Sequence, residues 1–85
     1  MQTFEYTIKD EAGIHARPAG MLAKAAKQYQ SVVSIVKNGK AADVRRMMSV
    51  MGLGIKCGET ITVQVEGADE ATAVTEIQAF FNENL

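Results

Sequence analysis

The residue types that could do chemistry sit in one stretch, Ala12-Gly13-Ile14-His15-Ala16-Arg17-Pro18-Ala19-Gly20. Pro18 belongs in the first turn of a helix, where its missing N–H costs nothing and its φ is already set. His15 then falls at or next to the N-cap, where unpaired backbone N–H groups and the positive end of the helix dipole face outward. Such a terminus suits an oxyanion, and Arg17 adds a guanidinium that can fork onto a phosphate. The dipole and Arg17 place positive charge beside the imidazole, so His15 reads as a nucleophile toward a phosphoryl group. After attack on a phosphoryl group, the same donors would receive the transferred oxygens. No second histidine and no local carboxylate cluster accompanies the site, which fits transient covalent phosphorylation better than hydrolysis. Spacing alone favours a plainer reading, a polar cap residue beside a solvated arginine.

The surrounding pattern supplies elements to hold this stretch. Phe4, Tyr6 and Ile8 alternate with Thr3, Glu5, Thr7 and Lys9, as in a half-buried strand. From Ala16 to about Gln28 the composition is helical, with Ala19, Leu22, Ala23 and Ala26 as its apolar stripe. Arg17, Gly20, Lys24 and Lys27 share a second, cationic face. Val32 to Lys37 reads as a strand, Asn38-Gly39 as a hairpin turn, and Lys40 to Asp43 as the return strand. Arg46 to Leu53 is a short Met-rich helix closed by Gly52 and Gly54, with Val50 and Leu53 facing the core. Lys56-Cys57-Gly58-Glu59 is a turn before the alternating strand of Ile61, Val63 and Val65. Asp69 is the expected N-cap of a last helix to about Asn84, which buries Ala73, Val74, Ile77, Phe80 and Phe81. The order is β-α-β-β-α-β-α, a two-layer α/β sandwich with one open sheet face. Residues 1–85 are expected to form one domain.

Composition removes other classes. The chain is 47% hydrophobic and 22% charged, an ordinary globular mix. A net charge of −1 argues against nucleic-acid binding through bulk basicity. That balance hides segregation: residues 1–11 sum to −2, residues 12–56 to +7, and residues 57–85 to −6. A basic middle points to a local anionic partner and to a positive patch centred on His15. The single Cys57 has no thiol to pair with, and the single His15 excludes a His-pair zinc motif, so no metal or cofactor is expected. No run approaches the roughly 18 apolar residues of a membrane helix. Met1 to Glu5 lacks the features of a signal peptide, so a cytoplasmic, reducing setting away from membranes is expected.

Gly13-Ile14-His15-Ala16-Arg17-Pro18-Ala19 resembles the active-site motif of the HPr family, the histidine-containing phosphocarriers of the bacterial phosphoenolpyruvate-dependent sugar phosphotransferase system. The resemblance spans the chain, through Asn38-Gly39-Lys40, Val50 to Ile55, and Glu66-Gly67-Ala68-Asp69-Glu70. It implies an open-faced β-sandwich with a four-stranded antiparallel sheet in the order 1-4-2-3 and three helices on one face. It also implies that His15 accepts a phosphoryl group at Nδ1 from phosphorylated enzyme I and passes it to IIA domains of sugar permeases. By the same resemblance Arg17 assists, and the backbone N–H groups of Ala16 and Arg17 cap the phosphate. The implied activity is that of a phosphoryl carrier, not of a stand-alone enzyme, acting as a monomer. Met47, Met48 and Met51 match an exposed apolar docking patch; methionine repacks easily, which suits several partners. Gly20 lies on the same partner face, and Lys24 and Lys27 would form a basic rim that steers acidic partners.

One position departs from the family pattern. Many relatives carry a serine at the start of the short helix, phosphorylated by a kinase in Gram-positive bacteria; here that position is Arg46, preceded by Arg45, and Ser49 is a turn further on. Regulation through that serine is therefore not expected, and Arg46 would instead attract phosphorylated or acidic partners. Two alternatives stay open on sequence. One is a paralogue in a regulatory branch, for nitrogen metabolism or dihydroxyacetone phosphorylation. The other is a non-catalytic module that docks a protein or nucleic acid through the basic, Met-rich face.

Overall fold

A computed structural model describes residues 1–85. Its elements are β1 (Gln2–Thr7), α1 (Ala16–Ala26), β2 (Val32–Lys37), β3 (Lys40–Asp43), α2 (Met47–Gly52), β4 (Thr60–Glu66) and α3 (Glu70–Asn84). The strands form one antiparallel sheet in the order β1-β4-β2-β3. The pleat decides which side faces the helices. Tyr6, Val33, Ile35, Ala42, Ile61, Val63 and Val65 are buried beneath them, whereas Thr3, Glu5, Thr7 and Thr60 point to the open face. Register follows from that alternation: Phe4 lies opposite Val63, and Val63 opposite Ile35. A slip of one residue would turn the whole apolar set into water.

The β2–β3 hairpin closes through Asn38 (φ 50°) and Gly39 (φ 80°). Two successive positive φ values match the right-handed twist of the flanking strands, which is what Asn-Gly provides. The core of 19 buried residues joins this sheet face to all three helices. Phe81 is its largest fully buried side chain, with the rings of Phe4 and Tyr6 edge-on at 5.6 and 5.4 Å.

Helix α1 buries the expected stripe of Ala19, Leu22, Ala23 and Ala26, together with Pro18. Helix α3 buries Ala73, Ile77 and Phe81, while Val74 and Phe80 are half-buried at the core's margin. One expectation is corrected and two are refined. Gly52 is the last residue inside α2, and the helix is closed by Leu53 and Gly54 beyond it. Leu53 packs half-buried against the core, as expected, beside the fully buried Val50. Asp69 occupies the N-cap position but makes no side-chain cap bond to its own helix. Its carboxylate reaches across the fold to accept hydrogen bonds from the backbone N–H of Gln30 and of Ser31, each at 2.9 Å, and from the Ser31 hydroxyl.

Candidate phosphoryl-transfer site

His15 is the N-cap of α1, with extended backbone (φ −106°, ψ −172°) and no side-chain bond to the helix. A histidine that capped the helix would spend a ring nitrogen on the first-turn N–H groups; here both nitrogens stay available. Its carbonyl accepts the first helical bond, from the Ala19 N–H at 3.0 Å. The N–H groups of Ala16 and Arg17, the first two residues of the helix, have no acceptor within the protein. Pro18 follows with no N–H to satisfy and is itself buried, which pins the start of the helix to the core. Two free donors, a positive helix end and an exposed guanidinium therefore surround an exposed imidazole.

The chain before His15 is held as firmly as the helix after it. The Asp10 carboxylate accepts from the Ala12 N–H at 2.9 Å, and the Asp10 carbonyl accepts from the Gly13 N–H at 2.9 Å. Gly13 has φ +69°, and a Cβ on it would stand 2.2 Å from the Ile55 carbonyl oxygen. Only glycine lets the loop lie this close to the segment after α2. The next residue uses that approach: the Ile14 N–H donates to the Ile55 carbonyl at 3.1 Å, and the Ile14 side chain is buried.

His15 and Arg17 line a shallow surface depression of about 250 Å³ together with Asp10, Pro18, Met21 and Asn84. The sequence points to His15 and Arg17, and not to Asp10, Met21 or Asn84. Met21 is readable as the next turn of α1 on the His15 side; Asn84 comes from the far end of α3, and no local signal announces it. No cluster of His, Cys, Asp or Glu that could hold a metal ion is present.

The expected partner face is brought together unevenly. Lys24 and Lys27 are exposed, but Lys24 sits in the last turn of α1 and Lys27 caps it. At 1.5 Å per residue they lie about 14 and about 18 Å from His15 along the helix. Cations at that end also complement the helix dipole. Met48 is 73% exposed, whereas Met47 and Met51 are half-buried and pack against the core, so the apolar patch has one fully presented methionine. Gly20 is not an open surface: Met47 Sδ lies 3.4 Å from where its Cβ would be, and this contact joins α1 to α2. Arg46 is the exposed N-cap of α2. Arg45 is tied back to Asp43, its Nη2 2.9 Å from Oδ2, and this guanidinium hydrogen bond holds the Asp43 carboxyl below its usual range. Of the two arginines, Arg46 is the one left unpaired. Cys57 is free and exposed, in the expected turn.

Comparison with known proteins agrees with this geometry. Residues 2–83 match the family model described as the PTS HPr component phosphorylation site. The chain belongs to the HPr family. The phosphocarrier protein HPr of Mycoplasma genitalium is 38% identical over 85 residues, covering 99% of this chain and 97% of that protein. The HPr of Mycoplasma capricolum is 40% identical over 78 residues, covering 92% of this chain and 88% of its own. The solved structure of a mycoplasma histidine-containing phosphocarrier superposes with a TM-score of 0.92 at 36% identity, covering 96% of this chain and 93% of that one. The four-stranded sheet and three helices are those of the HPr fold, and the function is that of an HPr phosphocarrier of the phosphotransferase system. No helix is long and apolar enough to cross a membrane.

Proposed function

We propose that His15 is the residue that carries the phosphoryl group, accepting it at Nδ1 from phosphorylated enzyme I and delivering it to IIA domains of sugar permeases. The observation that carries this reading is the uncommitted imidazole at the N-cap of α1, beside two N–H donors without acceptors. In the transfer, a lone pair of the neutral ring attacks phosphorus. The new N–P bond forms as the bond between phosphorus and the donor breaks, and that electron pair leaves with the donor. Ala16 N–H, Arg17 N–H and the Arg17 guanidinium receive the phosphoryl oxygens. The return step is the same displacement by a ring or oxygen nucleophile of the acceptor. A helix end and one arginine orient the group without the grip of a metal ion, which suits a carrier that must release its cargo.

Met48, flanked by the half-buried Met47 and Met51, forms the apolar centre of the docking face. Arg46, Lys24 and Lys27 are the cations that draw in acidic partners, and the carrier acts as a monomer in the cytoplasm. Incubation with phosphoenolpyruvate and enzyme I tests the reading. The chain should take up one acid-labile phosphoryl group, and His15→Ala should take up none. Equal labelling of His15→Ala would remove His15 from the mechanism.

A further inference from the structure

The segment that steadies the His15 loop is itself held by an ion pair far from it in sequence. Ile55 carries the carbonyl that accepts the Ile14 N–H and against which Gly13 packs. On either side of Ile55 stand Gly54 and the Lys56–Glu59 turn. Lys37, the last residue of β2, reaches over both: its Nζ donates to the Gly54 carbonyl at 2.9 Å and to Glu59 Oε1 at 2.9 Å. The same Glu59 oxygen accepts the Lys56 N–H at 2.7 Å. One ammonium thus spans the two ends of the segment, with the Ile55 carbonyl between them. Glu59 also meets the other end of the His15 loop, since its carbonyl accepts the Ile8 N–H at 3.0 Å where β1 runs out.

The lysine half of the pair is largely covered, and the Glu59 side chain is 36% exposed. The Lys37 side chain is only 16% exposed, and its ammonium is matched by one carbonyl and one carboxylate. Charge-assisted bonds of this kind fix geometry more firmly than neutral ones. We propose that Lys37 and Glu59 are positioning residues for His15. They clamp residues 54–59, so that the Ile55 carbonyl holds Ile14, and with it the imidazole, in register with the helix end. The inference rests on the reading of His15 as the phosphoryl acceptor.

The test compares Lys37→Met, Lys37→Arg and Glu59→Gln in the folded, full chain. Two readouts are used: the rate of phosphoryl uptake from phosphorylated enzyme I as the carrier concentration is varied, and amide exchange at Ile14. Lys37→Met should lower the maximal rate by about tenfold or more, up to the roughly hundredfold loss that a 1 Å misplacement of a reacting group can cause, with KM unchanged. Ile14 exchange should accelerate in the same variant. Lys37→Arg, which keeps donors for both oxygens, should restore both readouts, and Glu59→Gln should fall between. A wild-type maximal rate in Lys37→Met, a change in KM alone, or unaltered Ile14 exchange would overturn the proposal. If Lys37→Met does not fold, Glu59→Gln preserves the shape and carries the same test. Ile14 exchange needs no phosphoryl donor, so it judges the clamp separately from the identity of the acceptor, which labelling of His15→Ala decides.

Discussion

The carboxylate of Asp69, at the start of α3, is hydrogen-bonded to the backbone and hydroxyl of Ser31, just before β2, rather than to the first turn of its own helix. Ser31 is fully buried, so this is a polar joint between the start of α3 and the start of β2. The bond from the Ser31 hydroxyl, followed by the backbone bond from Gln30, holds the Asp69 carboxyl below its usual range. A carboxyl lowered by folding stabilises the folded state fully above its ordinary value of about 4. That contribution is lost as pH falls from there through its own lower value. Asp69→Asn should therefore lower the thermal midpoint at neutral pH, and its difference from the parent should shrink below about pH 4. A difference that stayed constant with pH would contradict this. Glu59, Glu70 and Asp43 are lowered as well, so the parent itself should lose stability over the same acid range.

Gly13→Ala is the most damaging small change expected near the site. The left-handed backbone alone costs about 1–2 kcal/mol for a residue with a Cβ. The collision with the Ile55 carbonyl, 2.2 Å from that Cβ, must then be relieved by moving the loop. Denaturant unfolding should show a loss above that strain figure. Phosphoryl uptake should fall even at temperatures where the variant is fully folded, because the displaced loop carries His15.

Phe81 tests the core independently of the site. It is fully buried and packs edge-on against Phe4, Tyr6 and Phe80. Phe81→Ala should cost about 3–5 kcal/mol, as for other large-to-small changes of buried aromatics. In a small domain that is a large share of the total. Urea unfolding with an unchanged m-value would report it.

Met48 separates docking from folding. At 73% exposure its removal should leave stability within about 0.5 kcal/mol of the parent. Met48→Ala should instead raise KM for phosphorylated enzyme I by about tenfold, the effect of losing a side chain worth 1–2 kcal/mol at an interface. An unchanged KM would move the apolar docking centre away from α2.

Much of this was legible in the sequence, for local reasons. Strict alternation in Ile61, Val63 and Val65 and the Asn38-Gly39 turn fixed β4 and the hairpin at their observed places. Pro18 placed the start of α1, and with it His15, because the constraint acts within one turn. What failed to show depends on contacts between distant segments. Asp69 has the residue type of a cap, but a better set of donors arrives from Gln30 and Ser31. Lys37 and Glu59 look like ordinary strand and turn residues until the sheet brings them together. Met47 and Met51 share the chemistry of Met48, and only the packing of α2 on α1 and the core separates them. The basic middle of the chain is also less uniform than its charge implies, since Lys37 and Arg45 are spent on Glu59 and Asp43.

The most direct test of the central claim is nitrogen-resolved NMR of the phosphorylated, ¹⁵N-labelled chain. The protein has one histidine, so both ring signals belong to His15. Phosphorus coupling should appear at its Nδ1, with the Ala16 and Arg17 amide signals shifting as their N–H groups take up phosphoryl oxygens. A phosphorylated chain whose His15 nitrogens show no coupling to phosphorus would contradict the account.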